Sequence, residues 1–127
     1  MARISNFNVD LNNFSKKLNI NLSQVIRKVS IDIWNGVTRR TPVDTGRARA
    51  SWNLSEEFID LSTAPNSTSN PNAVGKRGLI TGKGKTVWVT NNVNYIEFLE
   101  NGSSKQAPTG MVNVTIAEAA AKIRSYR

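Results

Sequence analysis

The strongest constraint on the fold is a run of apolar residues at Leu11, Phe14, Leu18, Leu22, Val25, Ile26, Val29, Ile33 and Val37. Steps of three and four place these side chains on one stripe of an α-helix. The pattern predicts helix from Leu11 to Arg40, capped by Asp10 or Asn8 and stopped by Pro42, which biases Thr41 away from helical geometry. Unbroken, such a helix would be about 45 Å long at its 1.5 Å rise per residue. Asn19 and Asn21 are candidate break points, with a second helix starting near Ser23.

Beyond the turn chemistry of Thr41-Pro42-Val43-Asp44-Thr45-Gly46, the segment Arg47 to Ile59 alternates. Ala50, Trp52, Leu54 and Phe58 fall on one side, Ser51, Asn53, Ser55 and Glu57 on the other, which predicts a half-buried strand. From Leu61 to Thr86 the chain turns to Ser, Thr, Asn, Pro, Gly and Lys, and predicts a long flexible loop. Val87-Trp88-Val89-Thr90 predicts a second strand, Asn91-Asn92 a turn, Asn94 to Glu100 a short helix stopped by Asn101-Gly102, and Met111 to Arg127 a closing helix. The expectation is one α+β domain over residues 1–127: a long N-terminal helix, a small antiparallel sheet with a long basic loop, a short helix and a C-terminal helix. Two strands alone make a marginal sheet, so either the loop adds strands or neighbouring copies complete it.

Composition narrows the chemistry. With no cysteine and no histidine, the chain has no thiol nucleophile, disulfide, histidine triad or usual zinc ligand set. The carboxylate pairs Glu56–Glu57 and Glu97–Glu100 read as surface or interface ion-pair partners rather than an acid/base pair. Gly75 to Thr86 superficially resembles a phosphate loop, but its spacing is wrong and Lys85-Thr86 runs into a strand rather than a helix. Trp34, Trp52 and Trp88 lie in predicted regular elements and are expected in the core or an interface. No enzyme activity, cofactor or metal is expected. No apolar run is long enough to span a membrane, and Met1 to Asn6 leads into polar sequence, so no leader and cytoplasmic synthesis are expected. Asn53-Leu54-Ser55 and Asn66-Ser67-Thr68 match the glycosylation pattern only as products of an Asn- and Ser-rich composition.

Seventeen Lys and Arg against nine Asp and Glu give a net charge of +8, which favours a polyanionic or acidic partner. Two clusters carry it: Lys76, Arg77, Lys83 and Lys85 in the long loop, and Arg39, Arg40, Arg47 and Arg49 around the first turn. No recognition helix, zinc module or aromatic RNA-binding motif accompanies them, so any DNA contact is expected to be sequence-independent.

Two segments carry a resemblance. Thr41-Pro42-Val43-Asp44-Thr45-Gly46-Arg47, followed by Arg49 and Ser51-Trp52, is one; Asn91-Asn92-Val93-Asn94-Tyr95-Ile96-Glu97-Phe98-Leu99-Glu100-Asn101-Gly102-Ser103, with Gln106-Ala107-Pro108 after it, is the other. Together, in this order and between these helices, they resemble the tail-completion and head-tail joining proteins of long-tailed bacteriophages. The likeness runs from about residue 25 onward; Ala48 stands where that family usually has Leu, Ile96 where it has Ala and Ser103 where it has Thr. The resemblance implies a structural virion protein at the neck or tail top. Its copies would form a homo-oligomeric ring, sixfold to match a tail tube or twelvefold to match a head connector, against adjacent connector and tail-tube proteins, with non-specific DNA contact in the channel. Arg47 and Arg49 would then pair with Glu97 or Glu100 of the same or an adjacent subunit, Asp44 would cap backbone locally, and the long loop would order on docking or line the channel. The alternative is a small basic protein that binds nucleic acid without sequence preference.

Overall fold

The structure, a computed structural model, describes residues 10–41, 47–64, 75–84, 86–101 and 110–125, with backbone alone at Glu97 and Phe98. The first helical stripe breaks where the asparagines stand. Helix α1 (Leu11–Leu18) begins on Asp10, whose carboxylate accepts from the Asn13 N–H at 2.9 Å, and ends on Asn19 in the left-handed region at φ 56°. Helix α2 (Leu22–Arg40) restarts on a capping box, in which Asn21 accepts from the Ser23 N–H and Gln24 accepts from the Asn21 N–H. It stops at Thr41, ahead of Pro42.

Arg47 to Ile59 departs from the single strand its alternation predicts. Arg47–Ala50 is one helical turn, α3, closed by the Ser51 hydroxyl donating to the Arg47 carbonyl at 2.7 Å. Arginine and alanine are good helix formers, so four residues of R-A-R-A satisfy local propensity before the strand begins. Strand β1 is only Asn53–Glu56. The chain then reverses at Glu57, which takes a positive φ of 72°, and doubles back so that the Asn53 amide donates to the carbonyls of Asp60 and Ser62. That return covers the polar side of the strand: Ser51 and Asn53 are as buried as Trp52 and Leu54, and Phe58 is 84% exposed.

The stretch expected to be a flexible loop is partly sheet. Lys76–Arg77 form β2, which runs parallel to β1, while Val87–Thr90 form β3, antiparallel to β1 with Leu54 opposite Val89. The sheet order is β2-β1-β3, so the α+β class holds with a mixed sheet in place of a purely antiparallel one. A parallel neighbour is available because the long connection after β1 returns to the start of that strand before running beside it. Residues 65–74 and Lys85 lie outside the described residues.

Helix α4 (Ile96–Glu100) and helix α5 (Val112–Ser125) complete the fold. Helix α5 packs on α2 where Gly36 admits Thr115; a Cβ at Gly36 would stand 2.6 Å from the Thr115 methyl. Arg40 at the end of α2 donates to the Thr115 hydroxyl at 2.9 Å and pairs with Glu118. The core joins Trp34 and Val37 of α2, Trp52 and Leu54, Ile80 and Met111. Trp34 and Trp52 are buried as expected; Trp88 is half-buried and its indole N–H donates to the Glu57 carbonyl.

Candidate functional site

The first motif is a joint between α2 and β1. The Thr41 hydroxyl donates to the Val37 carbonyl and accepts from the Trp52 indole N–H, both at 2.6 Å, while the Trp34 indole N–H donates to the Trp52 carbonyl at 3.1 Å. Thr41 and Trp52 are buried, so these hydrogen bonds are made where water is excluded. Arg49 donates to the carbonyls of Arg39 and Thr41, satisfying acceptors that the end of α2 leaves open. Arg47 donates to the Ala64 carbonyl, and the Ser51 hydroxyl accepts from the Ala64 N–H. These residues pull the chain after β1 back onto the joint. Pro42, Val43, Asp44, Thr45 and Gly46 lie outside the described residues, so the expected local role of Asp44 does too.

The second motif is a joint between α4 and α5. Glu100 accepts from the N–H groups of Met111, Val112 and Asn113 at 2.8 to 3.0 Å, which are the open donors at the start of α5. Within the chain Glu100 makes this cap, and Arg47 and Arg49 donate to backbone carbonyls; the expected pairing through Glu97 lies outside the described residues. Tyr95 is half-buried, and its carbonyl accepts from the Leu99 N–H. Gly102, Ser103 and Pro108 lie outside the described residues, as does the Glu97 side chain.

The basic loop is fastened rather than free over residues 75–84. One Glu56 oxygen accepts from the N–H and hydroxyl of Thr81, the other from the N–H of Gly82 at 2.8 Å and of Gly84 at 3.4 Å. The Thr81 hydroxyl foremost, with the three backbone donors, holds the Glu56 carboxyl below the usual carboxylate range against a smaller opposing effect of desolvation. Gly82, at φ 78°, lies against the start of α2, where a Cβ would come within 2.0 Å of the Ser23 carbonyl oxygen. Arg27 of α2 donates to the Ile80 carbonyl at 3.1 Å. Lys76 pairs with Asp60 at 2.9 Å; Arg77 and Lys83 are exposed, and Lys85 lies outside the described residues.

Glu56, Arg27 and Asp60 are organising residues that the sequence motifs do not mark. Glu56 occupies an even, apolar-side position of its strand, which is the one signal that its carboxylate is aimed at neighbouring chain. Asp60 is held at about 2, below its ordinary 3.8, by the Ser62 hydroxyl first and the Lys76 ammonium next.

Acid should therefore loosen the sheet edge. Asp60 and Glu56 both have folded pKa values below their unfolded ones, so their contributions are complete above the unfolded values and are lost as pH falls through the folded ones. The midpoint of urea unfolding is expected to fall from about pH 4.5 downward and continue falling to about pH 2. Glu56→Gln is expected to flatten the upper part of that slope and to raise hydrogen exchange at Thr81, Gly82 and Gly84 while leaving α5 protected. Unchanged exchange at those three amides would contradict the clamp.

The described residues contain no group of three or more His, Cys, Asp or Glu placed to hold a metal ion, and no described helix is long and apolar enough to cross a membrane. No protein-family model, curated protein or solved structure matches the chain.

Proposed function

We propose that the chain is a structural virion protein of a tailed bacteriophage, a ring-forming neck or tail-completion component between the head connector and the tail. The observation that carries this reading is the pair of motifs Thr41 to Trp52 and Asn91 to Ser103, in order, on one small α+β domain. Each motif does mechanical work in the fold: one locks α2 to β1 through Thr41, Trp52 and Arg49, the other starts α5 through Glu100. A subunit of a closed ring needs two different patches held at a fixed angle, and such locked joints supply that rigidity.

Purified particles of the phage that encodes the chain are expected to contain it in sixfold stoichiometry at the head-tail junction, measured by electron cryomicroscopy and quantitative mass spectrometry. Particles that lack the chain would overturn the reading. Lys16, Lys17, Arg77 and Lys83 are exposed cations with no ion-pair partner among the described residues, which favours the second reading, sequence-independent nucleic-acid binding. The two separate on purified protein: DNA affinity whose logarithm falls steeply with the logarithm of salt belongs to the second.

A further inference from the structure

One end of the molecule gathers exposed apolar side chains and cations that have no ion-pair partner among the described residues. Helix α2 runs opposite to β1: its C-terminal Thr41 meets Trp52 before β1, and its N-terminal Ser23 meets Gly82, whose N–H reaches Glu56 at the end of β1. The strands β1 and β2 are parallel, so both leave the sheet at that same end. There Phe58 follows β1 and Leu79 follows β2, 84% and 86% exposed, and Ile20 and Leu22 stand exposed at the α1–α2 junction. Lys16 and Lys17 close α1 beside that junction, and Arg77 and Lys83 flank Leu79 on the fastened loop.

We infer that this end is a docking surface for a different protein, one that presents an apolar patch rimmed by carboxylates. The inference rests on the neck-protein reading and names the face by which the subunit meets its neighbour. Protein interfaces bury an apolar centre inside a polar rim, and Phe58 and Leu79 among lysines and arginine have that composition. A nucleic-acid backbone would answer the cations and leave two large apolar side chains uncovered. A second copy answers neither well. Six of its described carboxylates are engaged internally: Asp10 caps α1, Asp32 pairs with Lys28, Glu56 holds the loop, Asp60 pairs with Lys76, Glu100 caps α5 and Glu118 pairs with Arg40, while Glu57 adjoins Phe58 on this same cationic end. The Glu56 clamp fixes the loop before docking, which lowers the ordering entropy that binding would otherwise have to overcome.

The test places photoreactive benzoylphenylalanine at position 58, at position 79 or, as a control on the far helix, at position 122 in the full chain, and irradiates intact particles. The expected result is one crosslinked species from 58 and 79, containing a different particle protein of net negative charge, and none from 122. Its yield should drop at least fivefold with Arg77→Glu and Lys83→Glu combined, both exposed positions whose replacement leaves the circular-dichroism melt unchanged. Crosslinks to a second copy, to DNA or to lipid, or no crosslink at 58 and 79 in particles that contain the chain, would overturn the docking surface and leave the neck reading standing. Mass spectrometry of the same particles reads the other case: a chain missing from them defeats the neck reading, and the docking surface with it.

Discussion

Trp52→Ala is expected to destabilise the domain by about 3–5 kcal/mol, the range for removing a buried large aromatic side chain. Trp52 is 4% exposed and packs in the cluster of Trp34, Val37, Leu54, Ile80 and Met111. Its loss opens a cavity where α2 crosses β1 and strands the Thr41 hydroxyl without its indole donor. Domains of this size have a total stability of about 5–15 kcal/mol, so the variant should be near the edge of folding. The hydrogen bond and the packing can be told apart. Thr41→Val keeps the shape but leaves the buried indole N–H unpaired and removes the bond to the Val37 carbonyl, which should cost about 1–3 kcal/mol. Urea unfolding followed by tryptophan fluorescence measures both, with circular dichroism as the probe for Trp52→Ala. A loss below about 1 kcal/mol for Trp52→Ala would show that the joint is not the centre of the core.

That joint also marks how far local pattern could be read. The three-and-four spacing through α2 and α5 was legible because each helix buries a single stripe, and the asparagine break was legible because Asn19 and Asn21 favour caps over helix interiors. Val87–Thr90 matched its strand because β-branched and aromatic residues run without interruption. Ser51 and Asn53 misled for a non-local reason. Their alternation with Trp52 and Leu54 predicts a wet face, but residues 60–64 return from the Glu57 reversal and bond them, so the strand is covered on both sides. The Gly-Lys loop misled in the same way. Its composition lacks the apolar surface to order itself, and its anchors, Glu56 and Arg27, belong to other elements. For the candidate site, partners are set by the fold and not by the local sequence: Arg47 and Arg49 donate to backbone carbonyls, and Glu100 accepts from a helix start.

The second large effect is expected at that helix start. Glu100→Ala should lower stability by about 2–3 kcal/mol: hydrogen bonds to a charged group are each worth about 1.5–3 kcal/mol, but water can replace the acceptor at the exposed Asn113 end. The Met111 N–H has less relief, since Met111 is fully buried. Glu100→Gln, which keeps one acceptor oxygen and loses the charge, should fall between wild type and Glu100→Ala. Gly110 makes the approach geometrically possible. It sits at φ 84°, and a Cβ there would lie 2.4 Å from the Glu100 carbonyl oxygen, so Gly110→Ala must move the two segments apart as well as strain the backbone. Both substitutions act on one contact, so the double variant should lose clearly less than the sum of the singles, whereas Glu100→Ala combined with Thr41→Val should be additive within about 0.5 kcal/mol. Equilibrium unfolding of these variants and wild type decides the matter: if Glu100→Ala stays within about 0.5 kcal/mol of wild type, α5 is held by its packing on α2 and not by this carboxylate.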